Sequence, residues 1–203
     1  MSSDPAFILF PDTSWIDEYE NPAPEMVPFA GQAGVSMLLT RPLDVPDPVY
    51  FEANVEIIRE LDYPATNKSW PIMSERMRAI LLPQAPEHRL FRVSFIDDTV
   101  EPDVRFDDQG KPRSGVAVEG FAAVQFLAHI DAMDMERSDY TPDPWFPGES
   151  LTVKKLVLRD IPLPPVFRLS AYPMPLFVSA AGRRVLEEAG IKGVEFWNLA
   201  RIY

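Results

Sequence analysis

The stretch FVSAAGRRVLEEAGIKGVEFW, residues 177–197, decides how the chain is read. Its first two residues are apolar and favour extended backbone. Ser179 carries the side chain that suits a helix N-cap, accepting from N–H groups that the first helical turn leaves unpaired. Apolar residues then recur at helical spacing over 180–189, with Ala181, Val185, Leu186 and Ala189 predicted as the buried stripe. Gly190 suits the left-handed residue that closes a helix. Residues 193–197 return to extended patterning. The reading is strand, capped helix, strand.

The same order stands 105 residues earlier, where Ile72-Met73-Ser74 precedes a predicted helix over 75–82. Ser74 is its N-cap, Met77, Ile80 and Leu81 share a face, and Pro83 stops it. Without gaps, Ile80 meets Val185, Leu81 meets Leu186 and Phe91 meets Phe196. A duplication and a chance likeness of two strand–helix–strand segments both remain open. Further strands are predicted at 7–10, 35–39, 49–53, 90–96, 124–130, 151–158, 166–169 and 176–178. Phe91, Val93 and Phe95 alternate on one face of theirs. Residues 124–130 alternate too, and strand is preferred there over helix, although Phe121, Val124 and Ala128 would share a helical face.

The 22 Pro among 203 residues are about twice the usual share and fall in small groups between these segments, as punctuation rather than a linker. The expected fold is therefore α+β. It is a single globular unit of many short, mainly antiparallel strands with at least two short packed helices, in two similar strand–helix–strand halves.

Charge and composition exclude several functions. The net charge of -12 opposes a phosphate backbone, so direct nucleic-acid binding is disfavoured and a basic partner, or simple solubility, is favoured. Residues 1–40 hold six acids and no Lys or Arg, which is half of that charge. Two more acidic clusters run from Asp97 to Asp108 and from Asp131 to Asp143. The absence of Cys removes disulfides, thiolate metal sites and a Cys nucleophile. The opening residues have no basic region, and their apolar run covers only 7–10, too short for a secretory signal. No apolar run approaches the roughly 20 residues of a membrane span.

Catalytic constellations are hard to assemble. The two His, His88 in a polar connection and His129 opposite the apolar face of its strand, are expected to be surface residues. No Gly-x-Ser-x-Gly elbow and no Gly-rich phosphate loop occurs. Asp131, Asp134 and Glu136 offer oxygen ligands without the spacing of a calcium loop. No catalytic residue, metal ligand or cofactor-binding residue is therefore assigned. Aromatics in acidic loops point instead to protein contacts, because Trp and Tyr are favoured at interface hot spots. The candidate partner-binding residues are Asp12, Trp15, Asp17, Glu18, Tyr19, Asp134, Glu136, Asp143 and Trp145.

Several segments resemble a known family. Residues 130–138, IDAMDMERS, resemble an aspartate–x–glutamate–x–serine motif after a central strand. Val166-Phe167-Arg168-Leu169 resembles the strand that follows it. Phe177-Val178-Ser179 with residues 186–196, LEEAGIKGVEF, resembles the closing helix–Gly–strand segment, the most specific of these. Leu61-Asp62-Tyr63-Pro64 and residues 71–76, PIMSER, fit the same pattern. Together they are similar to the immunity protein 11 family of bacterial polymorphic toxin systems, over roughly residues 60–200. The resemblance implies an immunity-protein-like α+β domain, taken as 46–203; residues 1–45 lie outside it and are expected to form an acidic segment packed on that domain. It implies a small cytoplasmic protein that binds a cognate toxin domain and protects its producer and kin, with no catalysis and no cofactor. The acidity suits a basic partner, such as a nuclease. The Asp134, Glu136 and Ser138 motif also reads as a simple turn, since such side chains bond nearby backbone. A carboxylate-dependent hydrolase and a non-catalytic component of a secretion system are the alternative readings.

Overall fold

Each strand–helix–strand segment starts with a Ser that closes on its own helix. The computed structural model describes residues 5–17, 21–29, 36–142 and 151–199. Strand β1 spans Ala6–Pro11, β2 Glu25–Met26, β3 Val49–Ala53, β4 Ile72–Ser74, β5 His88–Asp97 and β6 Ala117–Phe126. Strand β7 spans Asp139–Pro142, β8 Leu151–Lys155, β9 Val166–Phe167, β10 Leu176–Ser179 and β11 Val194–Asn198. The helices are α1, Val55–Ile58; α2, Glu75–Leu81, extended by a 3-10 turn over Leu82–Gln84; α3, Pro102–Arg105; and α4, Ala180–Glu188. Ser74 Oγ accepts from the Met77 N–H at 3.2 Å, and Ser179 Oγ from the Gly182 N–H at 3.1 Å. Gly190, at φ 61°, follows α4 in the left-handed region.

The expected α+β class is the observed one. One sheet has the order β2-β3-β5-β6-β4, a second β11-β1-β10-β9, and β7 and β8 form a ribbon. Only β3 with β5 pairs in parallel among the ladders of these sheets. The two segments related by the 105-residue offset take up the same topology. Strands β4 and β5 are both antiparallel to β6, which lies between them. Strands β10 and β11 are both antiparallel to β1, which lies between them. Each half is thus a split strand–helix–strand unit, with the inserted strand supplied after β5 in one half and from residues 6–11 in the other. The acidic opening segment therefore contributes the inner strand of the second sheet.

Alternation sorts the side chains into three cores. Helices α2 and α4 pack between the sheets, with Met77, Leu81 and Leu186 against Leu9, Met73, Val124, Phe126, Leu176 and Val178. The far face of the five-stranded sheet buries Phe51, Phe91, Val93 and Phe95 under α1, Trp70 and residues 37–45. The far face of the four-stranded sheet buries Ala6, Ile8, Phe167 and Phe177 beneath Met133, Val153 and Leu158. Gln125, fully buried on β6, pins the first cover: its Nε2 donates to Leu39 O and Arg41 O at 2.7 and 2.6 Å.

Several sequence expectations are corrected. In α4 the buried positions are Gly182 and Leu186, while Ala181 and Ala189 are exposed. The helix approaches so closely that a Cβ on Gly182 would lie 2.3 Å from Pro165 O. Residues 36–39 form a turn, closed by Leu39 N–H on Ser36 O, instead of a strand. The predicted strand over 124–130 begins at Ala117 and ends at Phe126, because the Leu127 and Ala128 N–H groups both turn to Glu87 O. His129 is half-buried, with Nε2 inaccessible.

One carboxylate joins the halves. Asp62 is 6% exposed. It accepts from Ser74 Oγ at 2.6 Å, from Arg76 through Nε at 3.2 Å and through Nη2, and from the Lys192 N–H at 2.9 Å. Arg76 Nη2 also donates to Gly190 O at 3.2 Å. The start of α2 is thereby tied to the turn between α4 and β11. Burial pushes the Asp62 carboxyl up, but the bonds from Arg76, Ser74 and Lys192 N–H and the Arg76 charge outweigh it and hold it below the usual carboxylate range.

Gly182→Ala is expected to destabilise the protein by about 1–3 kcal/mol in urea unfolding, through overpacking. Ala181→Gln, one residue away on the exposed side, should stay within about 0.5 kcal/mol of the parent. Asp62→Asn should cost about 2–3 kcal/mol at pH 7, as hydrogen bonds to a charged group are lost. Because the folded carboxyl titrates below its unfolded value, its contribution is complete above about pH 4 and vanishes as pH falls through the folded value. The variant should therefore lose less stability on acidification than the parent, read from unfolding midpoints between pH 7 and pH 2.

Candidate partner-binding surfaces

What each acid already bonds within the chain sets how firmly it is held and how many of its acceptor sites stay open. Asp12 caps its own turn, accepting from the Ser14 N–H at 2.8 Å, and the hydrogen bonding of Ser14 holds its carboxyl below the usual range. Trp15 is half-buried against the core under the five-stranded sheet. Its Nε1 is inaccessible and has no partner among the described residues, while its carbonyl accepts from Asn21 Nδ2 at 2.7 Å. Asp17 is exposed and closes a two-residue antiparallel bridge with Asn21, each N–H donating to the other's carbonyl at 2.9 Å. Glu18, Tyr19, Asp143 and Trp145 lie outside the described residues.

Asp134 is spent in the same way. It accepts from the Glu136 and Arg137 N–H groups at 3.1 and 3.0 Å and from Arg137 Nε at 2.6 Å. The Arg137 bonds lower its carboxyl first, with the turn's N–H groups adding to them. Ser138 Oγ accepts from the Val157 N–H at 3.0 Å, which fixes this turn to the segment that follows β8. The aspartate–x–glutamate–x–serine motif is thus a turn whose Asp and Ser bond backbone, while Glu136 is exposed. The Trp15 segment and this turn pack on different cores.

The acidic cluster over 97–108 was not singled out for its residues, yet it presents the freest charge. It forms the end of the β5–β6 hairpin. Asp97 accepts from the Thr99 N–H at 3.0 Å, and Asp107 from the Gln109 and Lys111 N–H groups at 2.9 Å each. Arg105, 7% exposed, staples the loop: Nε donates to Val100 O at 2.6 Å, Nη1 to Glu52 Oε1 at 2.7 Å and Nη2 to Asp98 O at 2.9 Å. Burial, then the Asp97 charge, pushes the Asp98 carboxyl up. Glu101, Asp103 and Asp108 are exposed, with no side-chain hydrogen bond or ion pair among the described residues. Asp97 and Asp107 each accept from an N–H two residues on and so build turns, a local arrangement that Asp side chains favour.

No group of three or more Asp, Glu or His among the described residues is arranged to hold a metal ion. No described helix is long and apolar enough to cross a membrane. Comparison with known proteins finds no family model and no curated relative that matches the chain.

Trp15→Ala is expected to lower unfolding stability by about 2 kcal/mol, less than for a fully buried Trp because the side chain is only half-covered. Asp134→Ala should lower the thermal midpoint through loss of its turn, while Glu136→Ala should leave it in place, both measured by calorimetry at pH 7.

Proposed function

We propose that this protein binds and neutralises a cognate bacterial toxin domain, protecting the cell that makes it and its kin. The resemblance of residues 60–200 to the immunity protein 11 family carries this reading. Its most specific part, residues 186–196, coincides with the α4–β11 turn that Asp62 grips. The charge supports it by physics. Glu101, Asp103 and Asp108 stand free on a stapled hairpin end, in a chain of net charge -12. Such a field speeds encounter with a basic partner and rejects acidic ones. A basic toxin domain such as a nuclease suits it, held in the cytoplasm without a cofactor.

The test is co-expression with the polypeptide encoded by the adjacent reading frame, then purification at low and high salt. A stable complex and relief of that polypeptide's toxicity are expected. The Glu101→Lys, Asp103→Lys, Asp108→Lys triple variant should associate about tenfold more slowly at low salt, with a nearly unchanged dissociation rate. Absence of a complex at both salt concentrations overturns the reading.

A further inference from the structure

Arg168 is a buried cation without a counterion among the described residues. It follows β9 and is 3% exposed. Its backbone is held on both sides: Arg168 O accepts from the Ile130 N–H at 2.8 Å, and the Ser170 N–H donates to Ile130 O at 3.0 Å. Nη1 donates to Pro173 O at 2.6 Å and Met174 O at 2.7 Å. Nε is inaccessible and has no acceptor. Nη2 makes no hydrogen bond, and no carboxylate pairs with the guanidinium, among the described residues. Burial lowers its pKa to about 10, so it stays charged at neutral pH. Beside it His129 Nε2 is also buried without a partner, and burial and then the Arg168 charge push that imidazole's pKa down. Two orphaned nitrogens on neighbouring side chains call for a partner that folding does not supply.

Two cavities meet at this residue. One of about 280 Å³ lies between β1 and the Tyr63–Trp70 segment, and one of about 270 Å³ lies against Met37 and Lys68. Ser69, Trp70, Arg168 and Met174 line both. Ser69 takes a left-handed φ of 50°, uncommon for a residue other than Gly and a form of strain that clusters at ligand sites. Among the described residues, no Asp or Glu lines either cavity, in a chain of net charge -12. The first cavity is otherwise mainly apolar, with Leu9, Ile16, Tyr63 and Leu176 among its walls.

We infer that this paired cavity binds a small organic monocarboxylate with an apolar tail, its carboxylate held by Arg168 and its tail against Trp70 and Leu176. Nη2, the one guanidinium nitrogen that is neither bonded nor inaccessible, would donate a charge-assisted hydrogen bond to the carboxylate. A dianionic phosphate fits less well, because a second negative charge would enter an apolar wall without a second buried cation. The inference rests on Arg168 and its cavities, independently of the toxin-binding reading, and needs no part of the acidic hairpin.

The test titrates the full chain with 3-phenylpropionate, beside 3-phenylpropan-1-ol, phenyl phosphate and N-acetylphenylalanine. Binding is read from the assigned Met174 methyl and Trp70 indole NMR signals. Saturable binding of 3-phenylpropionate, weaker at high salt and at least about tenfold tighter than the alcohol, is expected. Arg168→Met should abolish that preference. Met174 is 60% exposed at the mouth, so Met174→Glu should fold normally and weaken the acid about tenfold by like-charge repulsion. Tighter binding of N-acetylphenylalanine supports the same site, with a peptide C-terminus as the source of its carboxylate. Equal binding of acid and alcohol, tighter binding of phenyl phosphate, unmoved Met174 and Trp70 signals, or undiminished binding by Met174→Glu overturns the inference.

Discussion

The architecture turns on a carboxylate that would be costly to bury alone. Asp62 is satisfied by a hydroxyl, a guanidinium and a backbone N–H that come from both halves. Its Ser74 partner is also the N-cap of α2, so one hydroxyl donates to the carboxylate and accepts from the Met77 N–H. Its Lys192 partner fixes the turn after α4. The backbone closes the same loop, with the Asp62 N–H on Lys192 O at 3.0 Å and the Ser74 N–H on Asp62 O at 2.8 Å. These bonds set the two helices side by side, and only then do both sheets have apolar surface to cover. Leu9 and Val178 from one sheet, and Met73 and Phe126 from the other, share one core through α2 and α4. Half of the molecule would leave that face in water, so the latch and the shared core need each other.

What the sequence made legible was local. Each Ser cap sits next to the donor it bonds, and Gly190 next to the helix it ends, so neither needs a distant partner. The offset between the halves survived for the same reason. What it hid was set by distant packing. Gly182 is buried because Pro165 O occupies the space a Cβ would fill, and a missing side chain leaves no hydrophobic signal. Residues 36–39 look like a strand by composition, yet Met37 is buried from a turn that Ser36 closes. The inner strand of the second half comes from residues 6–11, far in sequence from the helix it supports, so the 105-residue offset could not reveal it.

The acidic residues divide by the same distinction between local and distant. Asp12, Asp97, Asp107 and Asp134 each accept from an N–H two residues on, and so set turn geometry before they set any surface field. Two of them, Asp12 and Asp134, are candidate partner-binding residues that also build their own turns. Net charge alone therefore overstates the surface offered to another protein. Glu101, Asp103 and Asp108 are among the acids left unbonded, on a loop whose position depends on Arg105 reaching Glu52, 53 residues away in the chain.

Arg105 and Arg168 show why a buried guanidinium must be judged by its partners. Both are nearly inaccessible, and both bond backbone carbonyls. Arg105 also engages Glu52, and its Nε, Nη1 and Nη2 all donate. Its charge is balanced and its role is complete within the fold. Arg168 bonds through Nη1 alone, and its surroundings supply Tyr63 and His129 in place of an acid. Tyr63 gives no relief, since its own burial raises the phenol to about 12 and keeps it neutral. A cation desolvated to this degree costs stability unless an anion completes it, while the chain as a whole carries acids in excess. Folding alone could have placed one of those acids beside Arg168, as it placed Glu52 beside Arg105. Leaving the position open, between two cavities with no carboxylate on their walls among the described residues, is the arrangement of a receptor rather than of a staple.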